Sequence, residues 1–342
     1  MIAVAFAQGA VSPSTHVSPG PERTLLAAAT VQLPDATPTP AEVGRTPSST
    51  PSEPAQSVPR PFEILNAQSC QPGVVPSATA ASMPRVKASR SFALRVPILM
   101  YHRIVPFAQA VGSLKSLIVS PEVFSAQLTA AQAAGWHTIT VAQLADDLAA
   151  GKAVPPRTFV ITIDDGWKDG YEFALPILRA HGFVATFYVI AGRIDYGSFL
   201  DAWQLRAMIS AGNEIGDHSM THIPLAREAG SGLTYQIDAA AATIAAATGR
   251  WPETFAYPLG SFDLATEAAV QACSTMKMAV IEGEATYETW ATRFQIPRIR
   301  VDDGTAPDAL LELMTHPRMP TPAAAPPSAR PTGRLAQPIP RA

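Results

Sequence analysis

Residues 91–316 predict an α/β domain built on a parallel sheet, on the strength of three observations. Short apolar runs alternate with amphipathic segments, the pattern of strand–helix–strand units joined by right-handed crossovers. Of the 25 aromatic residues, 23 fall in this stretch, the exceptions being Phe6 and Phe62, so this is the part of the chain able to bury a large core. Finally, polar residues capable of chemistry stand just past the ends of several strands, where the working face of such folds lies.

The elements follow in order. RVPILMY (95–101) reads as a buried strand. Ser120 caps a helix with Pro121 at its first position, which stops at Gly135. HTIT is a short strand, and Thr140 caps a second helix that ends near Gly151. TFVITI (158–163), β-branched and bounded by Pro155-Pro156 and an Asp-Asp-Gly turn, is the clearest strand. A helix through FALPILRAHG, the strand VATFYVI (184–190) and a helix at DAWQLRAMISAG lead to NEIGDHS. An Ala-rich helix (235–248), the strand TFAYP (254–258), the helix LATEAAVQAC, the strands MKMAVIE and IPRIRV and the helix PDALLELM complete the domain. About eight parallel strands fit a barrel or an open doubly wound sheet equally well.

The flanks differ in kind. Residues 1–90 and 317–342 hold 22 of the 33 prolines and are rich in Ser, Thr and Ala, so they are expected to be disordered. The start, MIAVAFAQGAVS, has an apolar stretch and small residues without a basic n-region, as an incomplete signal sequence would. With the Pro/Ser/Thr-rich linker it points to the cell envelope or secretion. No run of 18 apolar residues is present, which argues against a spanning helix. The formal charge of −3 divides into about +1 and +4 for the flanks and −8 for residues 91–316, and an acidic domain argues against a nucleic-acid partner. Cys70 and Cys273 have no metal-type spacing and are expected to be independent thiols.

Two motifs carry chemistry. In TIDDGWKDG the adjacent Asp164 and Asp165 point in different directions, so one can bind a cation while the other moves protons. In HSMTH, His218 and His222 are four apart and share a face if the segment coils helically; with one Asp they make a His-His-carboxylate set suited to zinc or another transition metal.

TIDDG, HSMTH and the later FAYPLG stand in the order and spacing of the polysaccharide deacetylase family, with its NodB-homology domain (carbohydrate esterase family four), and the resemblance covers residues 94–305. The opening VPILMYHRI resembles the poly-N-acetylglucosamine deacetylase branch. The resemblance implies a distorted (β/α) barrel of about seven to eight parallel strands, one divalent ion (zinc first, with Co, Ni or Mn as alternatives) and an acetylated polysaccharide or oligosaccharide as substrate. It assigns Asp164 as catalytic base, Asp165, His218 and His222 as metal ligands, and the backbone N–H of Leu259 as oxyanion donor. Ala256 stands where many members have an arginine that holds the catalytic carboxylate, and Arg298 is the candidate to replace it. The late Leu-x-His motif is not evident, which leaves His102 as candidate acid and His316 as a solvated residue at the tail junction. Tyr101, Trp167, Tyr257 and Trp290 are candidate sugar-stacking walls. An O-acetyl polysaccharide esterase, a catalytically weak glycan-binding homologue and a metal phosphoesterase are the competing readings. Oligomeric state is not readable from the sequence.

Overall fold

A computed structural model describes residues 92–110, 115–283 and 288–316. The flanks expected to be disordered, 1–90 and 317–342, and Cys70 lie outside the described residues.

Eight parallel strands carry the fold: β1 (Ile98–Tyr101), β2 (His137–Ile139), β3 (Thr158–Ile163), β4 (Thr186–Val189), β5 (Glu214–Asp217), β6 (Thr254–Ala256), β7 (Met278–Glu282) and β8 (Ile296–Arg300). Seven close into a ring in the order β1-β3-β4-β5-β6-β7-β8, shut by Ile299 of β8 opposite Leu99 of β1 and by Ile98 opposite Val160 of β3. The eighth, β2, pairs with the first half of β3 and stays outside the ring. Of the two architectures left open by the strand count, the closed barrel is the one formed.

Helices α1 (Pro121–Ala133), α2 (Val141–Ala150), α3 (Leu175–Ala180), α4 (Ala202–Ser210), α5 (Ala240–Thr248), α6 (Leu264–Ala272) and α7 (Pro307–Thr315) fill the connections. Their ends follow local chemistry. Ser120 accepts the Val123 N–H at the start of α1, Thr140 and Gln143 make a capping box on α2, and Gly151 closes α2 in the left-handed conformation. Ahead of α3, residues Gly170–Ala174 form a wider π-type turn. Pro176 has no N–H to give to the ordinary ladder there.

Side-chain alternation along each strand divides the core in two. Leu99, Phe159, Ile161, Ile163, Phe187, Val189 and Ile215 point outward and pack with the helices around Phe124, Leu128, Leu178, Leu205 and Met208. Ile98, Val160, Tyr188, Ala256, Met278, Val280 and Ile296 point into the barrel, joined by Val141, Leu144 and Leu148 of α2. Each fully buried aliphatic or aromatic side chain contributes roughly 1.5–3 kcal/mol. The first turn of α2 enters the floor, where Val141 N–H donates to Thr186 Oγ1 (3.0 Å) and Ala142 N–H to Glu214 Oε2 (2.9 Å). Tyr188 fills the middle, and Gly216 makes room for it, because a Cβ there would lie 2.4 Å from the tyrosine ring.

Cys273 is buried and disulfide-bonded, which corrects the expectation of two independent thiols.

Candidate active site

The alternation that fills the barrel also loads its mouth. Asp164 keeps the inward phase of Val160 and Thr162, His218 that of Glu214 and Gly216, and Arg298 that of Ile296, so all three converge at the C-terminal ends of the strands.

Beyond β3 the chain turns sharply. Asp165 and Gly166 are both left-handed, with φ of 75° and 76°. Aspartate tolerates that region better than most residues. Gly166 is required twice over, since a Cβ would also press on Val189 at 3.1 Å. The turn sends Asp164 into the barrel and Asp165 across its mouth.

HSMTH is not helical, and its two imidazoles meet by another route. Ser219 and His222 adopt positive φ (63° and 59°). Asp217 Oδ1 accepts the Ser219 N–H at 2.8 Å, and Ser219 Oγ accepts the His222 N–H at 3.0 Å. Gln236 accepts the Thr221 N–H and donates to the Thr221 hydroxyl. Met220 is buried in the core, and its carbonyl lies so close to Gly192 that a Cβ there would be 2.7 Å away. A stapled turn thus performs what a helix was expected to do.

The outcome is a compact three-ligand cluster. Single ligand atoms of Asp165, His218 and His222 all lie within 4.8 Å of one another. His222 Nε2 is 3.4 Å and His218 Nε2 is 3.7 Å from Asp165 Oδ1. His218 Nδ1 is 2.7 Å from the Ala256 carbonyl, so that nitrogen carries the proton and Nε2 offers its lone pair. Asp165 Oδ1 is buried with no hydrogen-bond partner. Lone pairs facing one another around an unsatisfied carboxylate oxygen repel unless a cation sits among them, and the donor set suits a divalent metal. Burial, then the neighbouring His218, lowers the His222 pKa and keeps its ring neutral for ligation.

Asp164 sits beside this cluster in a different bond. Arg298 Nη1 donates to its Oδ1 and Nη2 to its Oδ2, each at 2.7 Å, with both residues about 2% exposed. Arg298 is fixed in turn on Thr162 Oγ1 (3.0 Å) and the Ile281 carbonyl (3.3 Å). Burial pushes the Asp164 carboxyl up, but the charge of Arg298 and its paired hydrogen bonds outweigh it. The group is held well below the usual carboxylate range. Arg298 therefore holds the Asp164 carboxylate from β8, while Ala256 serves through its carbonyl.

The remaining predicted residues are placed less uniformly. His102 lies at the mouth among Asp164, Asp165, Arg298 and His218; burial first, then the guanidinium and the other imidazole, lower its pKa despite the two carboxylates. Leu259 is exposed in a left-handed turn (φ 57°) directly after β6. Tyr257 does not reach the mouth: its ring is buried on the outer side of β6 against Phe255 and Phe262. Tyr101 likewise points outward and bonds Gln127, and Trp290 packs with the Leu94–Val96 side of the core. Trp167 is at the mouth but cannot serve as a stacking wall. Phe199 stacks at 4.2 Å and Arg103 lies 4.3 Å from the indole, and two groups that near one ring centre must occupy its two faces. His316 is exposed at the end of α7.

Arg103 and Asp169 escaped the sequence reading. They form a buried pair, Nε to Oδ2 at 2.5 Å, and burial outweighs the arginine's charge and hydrogen bond to bring Asp169 up to about 6. A cavity of about 750 Å³ at the opposite end of the barrel, lined by Leu94, Arg95, Pro97, Trp136, Arg157 and Met314 among others, holds none of the site residues.

Comparison with known proteins gives these residues a context. Residues 151–278 match the family described as polysaccharide deacetylase. YxkH of Bacillus subtilis (strain 168), whose polysaccharide deacetylase designation is provisional, is 32% identical over 142 residues, 42% of this chain and 47% of that protein. The chain thus spans about half the length of this curated relative. Among solved structures, a deacetylase of Streptococcus pyogenes in complex with acetate is similar with a TM-score of 0.59 and 24% identity, over 65% of this chain and 98% of the other. A de-N-acetylase from Aggregatibacter actinomycetemcomitans gives 0.57 and 18%, over 64% and 99%. At these identities the structural matches bear on the fold.

Proposed function

We propose, on the match of residues 151–278 to the polysaccharide deacetylase family, that this protein is a metal-dependent hydrolase that removes acetyl groups from an N-acetylated amino-sugar polysaccharide. One observation carries the reading: Asp165, His218 and His222 gather around an unsatisfied buried oxygen beside an ionised, arginine-held Asp164. Asp165, His218 and His222 would hold one divalent ion, zinc by the character of the donors. Such an ion would polarise the acetyl carbonyl and make water more acidic.

The chain's own groups then have distinct tasks. Asp164 takes a proton from the attacking water as the new C–O bond forms. Arg298 keeps that carboxylate ionised and aimed. The backbone N–H of Leu259 donates to the developing oxyanion, a contact worth about 2.7–4 kcal/mol in comparable sites. When the C–N bond breaks, the departing nitrogen needs a proton; Asp164 then holds the one taken from water, and His102, neutral at rest, is the side chain at the mouth that would relay it. Such a relay matters more for an amide than for an ester, because an alkoxide leaves more readily than an amide anion.

An oxidising compartment is supported by the disulfide at Cys273, and the cell envelope or the exterior is the proposed location. Among the described residues no helix is long and apolar enough to cross a membrane.

The test is acetate release by the full chain from N-acetylglucosamine oligomers, run beside acetylated xylan. Chelation should abolish it, and Asp164→Asn should lower kcat by about 10²–10⁴-fold with metal still bound. Release unaffected by both treatments contradicts the mechanism, and release from acetylated xylan alone moves the assignment to an O-acetyl esterase.

A further inference from the structure

The ligand Asp165 is approached from behind by groups that the reaction does not use. Its Oδ2 accepts the Trp167 indole N–H at 3.2 Å, which leaves Oδ1 turned toward His218 and His222. The indole has no freedom to swing, since Phe199 covers one face and the Arg103 guanidinium the other. Arg103 is locked in turn on Asp169, and both are over nine-tenths buried. The Phe199 side is tied down as firmly: Lys168 N–H donates to the Ser198 carbonyl, Leu200 N–H to the Gly166 carbonyl, and Lys168 pairs with Asp201 at 3.1 Å.

We propose that Trp167, Arg103 and Asp169 are positioning residues that fix the metal-facing oxygen of Asp165 and thereby set the site's affinity for a divalent cation. The inference rests on the metal reading given above. A carboxylate free to rotate offers either oxygen at varying angles, and the ion must restrict it on binding. The indole N–H spends one oxygen in advance, so the other is already aimed. Asp165 has particular need of this support, because it stands in a left-handed turn at the open end of a strand.

Trp167→Phe separates this role from packing, since it keeps an aromatic ring between Phe199 and Arg103 but deletes the N–H. Zinc affinity of the full chain is measured by competition with a chromogenic chelator, and Tm is measured on the metal-free protein. Trp167→Phe should raise the zinc Kd about 10–100-fold, as loss of a group that orients a ligand does, with little change in metal-free Tm. Arg103→Lys, which keeps the charge for Asp169 but removes the flat cover of the indole, should weaken binding in the same direction by a smaller factor. An unchanged Kd in both variants overturns the proposal. Failure of the parent chain to bind zinc, or binding that survives His218→Ala, instead overturns the metal reading beneath it.

Discussion

Two carboxylates face into the same barrel, Asp164 at the mouth and Glu214 at the floor, and they are driven in opposite directions. Asp164 at the mouth faces the guanidinium of Arg298 through two hydrogen bonds, and its carboxyl is held far below the ordinary range. Glu214 at the floor is only partly buried and meets only neutral donors: the hydroxyls of Thr186 and Thr254 and the Ala142 N–H. Burial raises its pKa, and those hydrogen bonds only moderate the rise. Dipoles can satisfy a buried carboxyl group, whereas a formal positive charge is what keeps one ionised against desolvation. The mouth is therefore equipped to move protons, and the floor to seal the barrel.

The comparison is broken most directly at Arg298. Arg298→Met leaves Asp164 buried without its cation, and breaking a buried pair from one side costs about 3–5 kcal/mol. Chemical denaturation should show that loss, and acetate release should fall with it. The double variant Asp164→Asn/Arg298→Met should recover most of the stability and none of the activity. A double variant no more stable than Arg298→Met would mean that the arginine supports the barrel through Thr162 and the Ile281 carbonyl instead.

A third carboxylate sharpens the contrast, because it has still fewer donors. Glu288, on a short strand paired with Ala93–Leu94, accepts the Val96 N–H at 3.1 Å through Oε2, while its Oε1 is buried without a partner. Burial raises its pKa from 4.5 to about 8. The folded chain thus keeps a proton that the unfolded chain releases. Stability from this group is complete at low pH, declines between about 4.5 and 8 by up to ~1.4 kcal/mol per pH unit, and is level above. Denaturation series across that window should show the decline in the parent and its removal in Glu288→Gln. Parallel pH profiles for the two would place the Glu288 ionisation elsewhere.

Much of this arrangement was legible in the sequence, because strand alternation and caps are local. The phase that puts Val160, Thr162 and Asp164 on one side of a strand is read from six residues. The same parity should have turned Tyr257 away from the mouth, since it shares a face with Phe255 rather than with Ala256. The pairing of His218 with His222 was legible as spacing, but not as geometry: the stapled turn depends on Gln236, which is 14 residues from His222. The role of Trp167 was hidden because it is decided by what covers its two faces. Arg103 arrives from just past β1 and Phe199 from the loop between β4 and α4, and neither belongs to the motif.

The smallest effect is expected at the floor. Replacing Glu214 with glutamine preserves shape and removes a charge that burial already disfavours. With the amide oxygen at the Oε2 position, the donors Thr186 Oγ1 and Ala142 N–H keep their acceptor. The amide NH₂ then meets Thr254, whose hydroxyl can rotate to accept. The net change is one rearranged hydrogen bond, about 1 kcal/mol or less. Acetate release and zinc affinity should match the parent. Glu214→Leu is the harsher counterpart, since it strands the Ala142 N–H at the first turn of α2 and should cost more. A loss for Glu214→Gln as large as that for Arg298→Met would show that the floor carboxyl is ionised after all. The distinction between formal charge and neutral dipoles would then fail as the account of why one end of the barrel is reactive and the other inert.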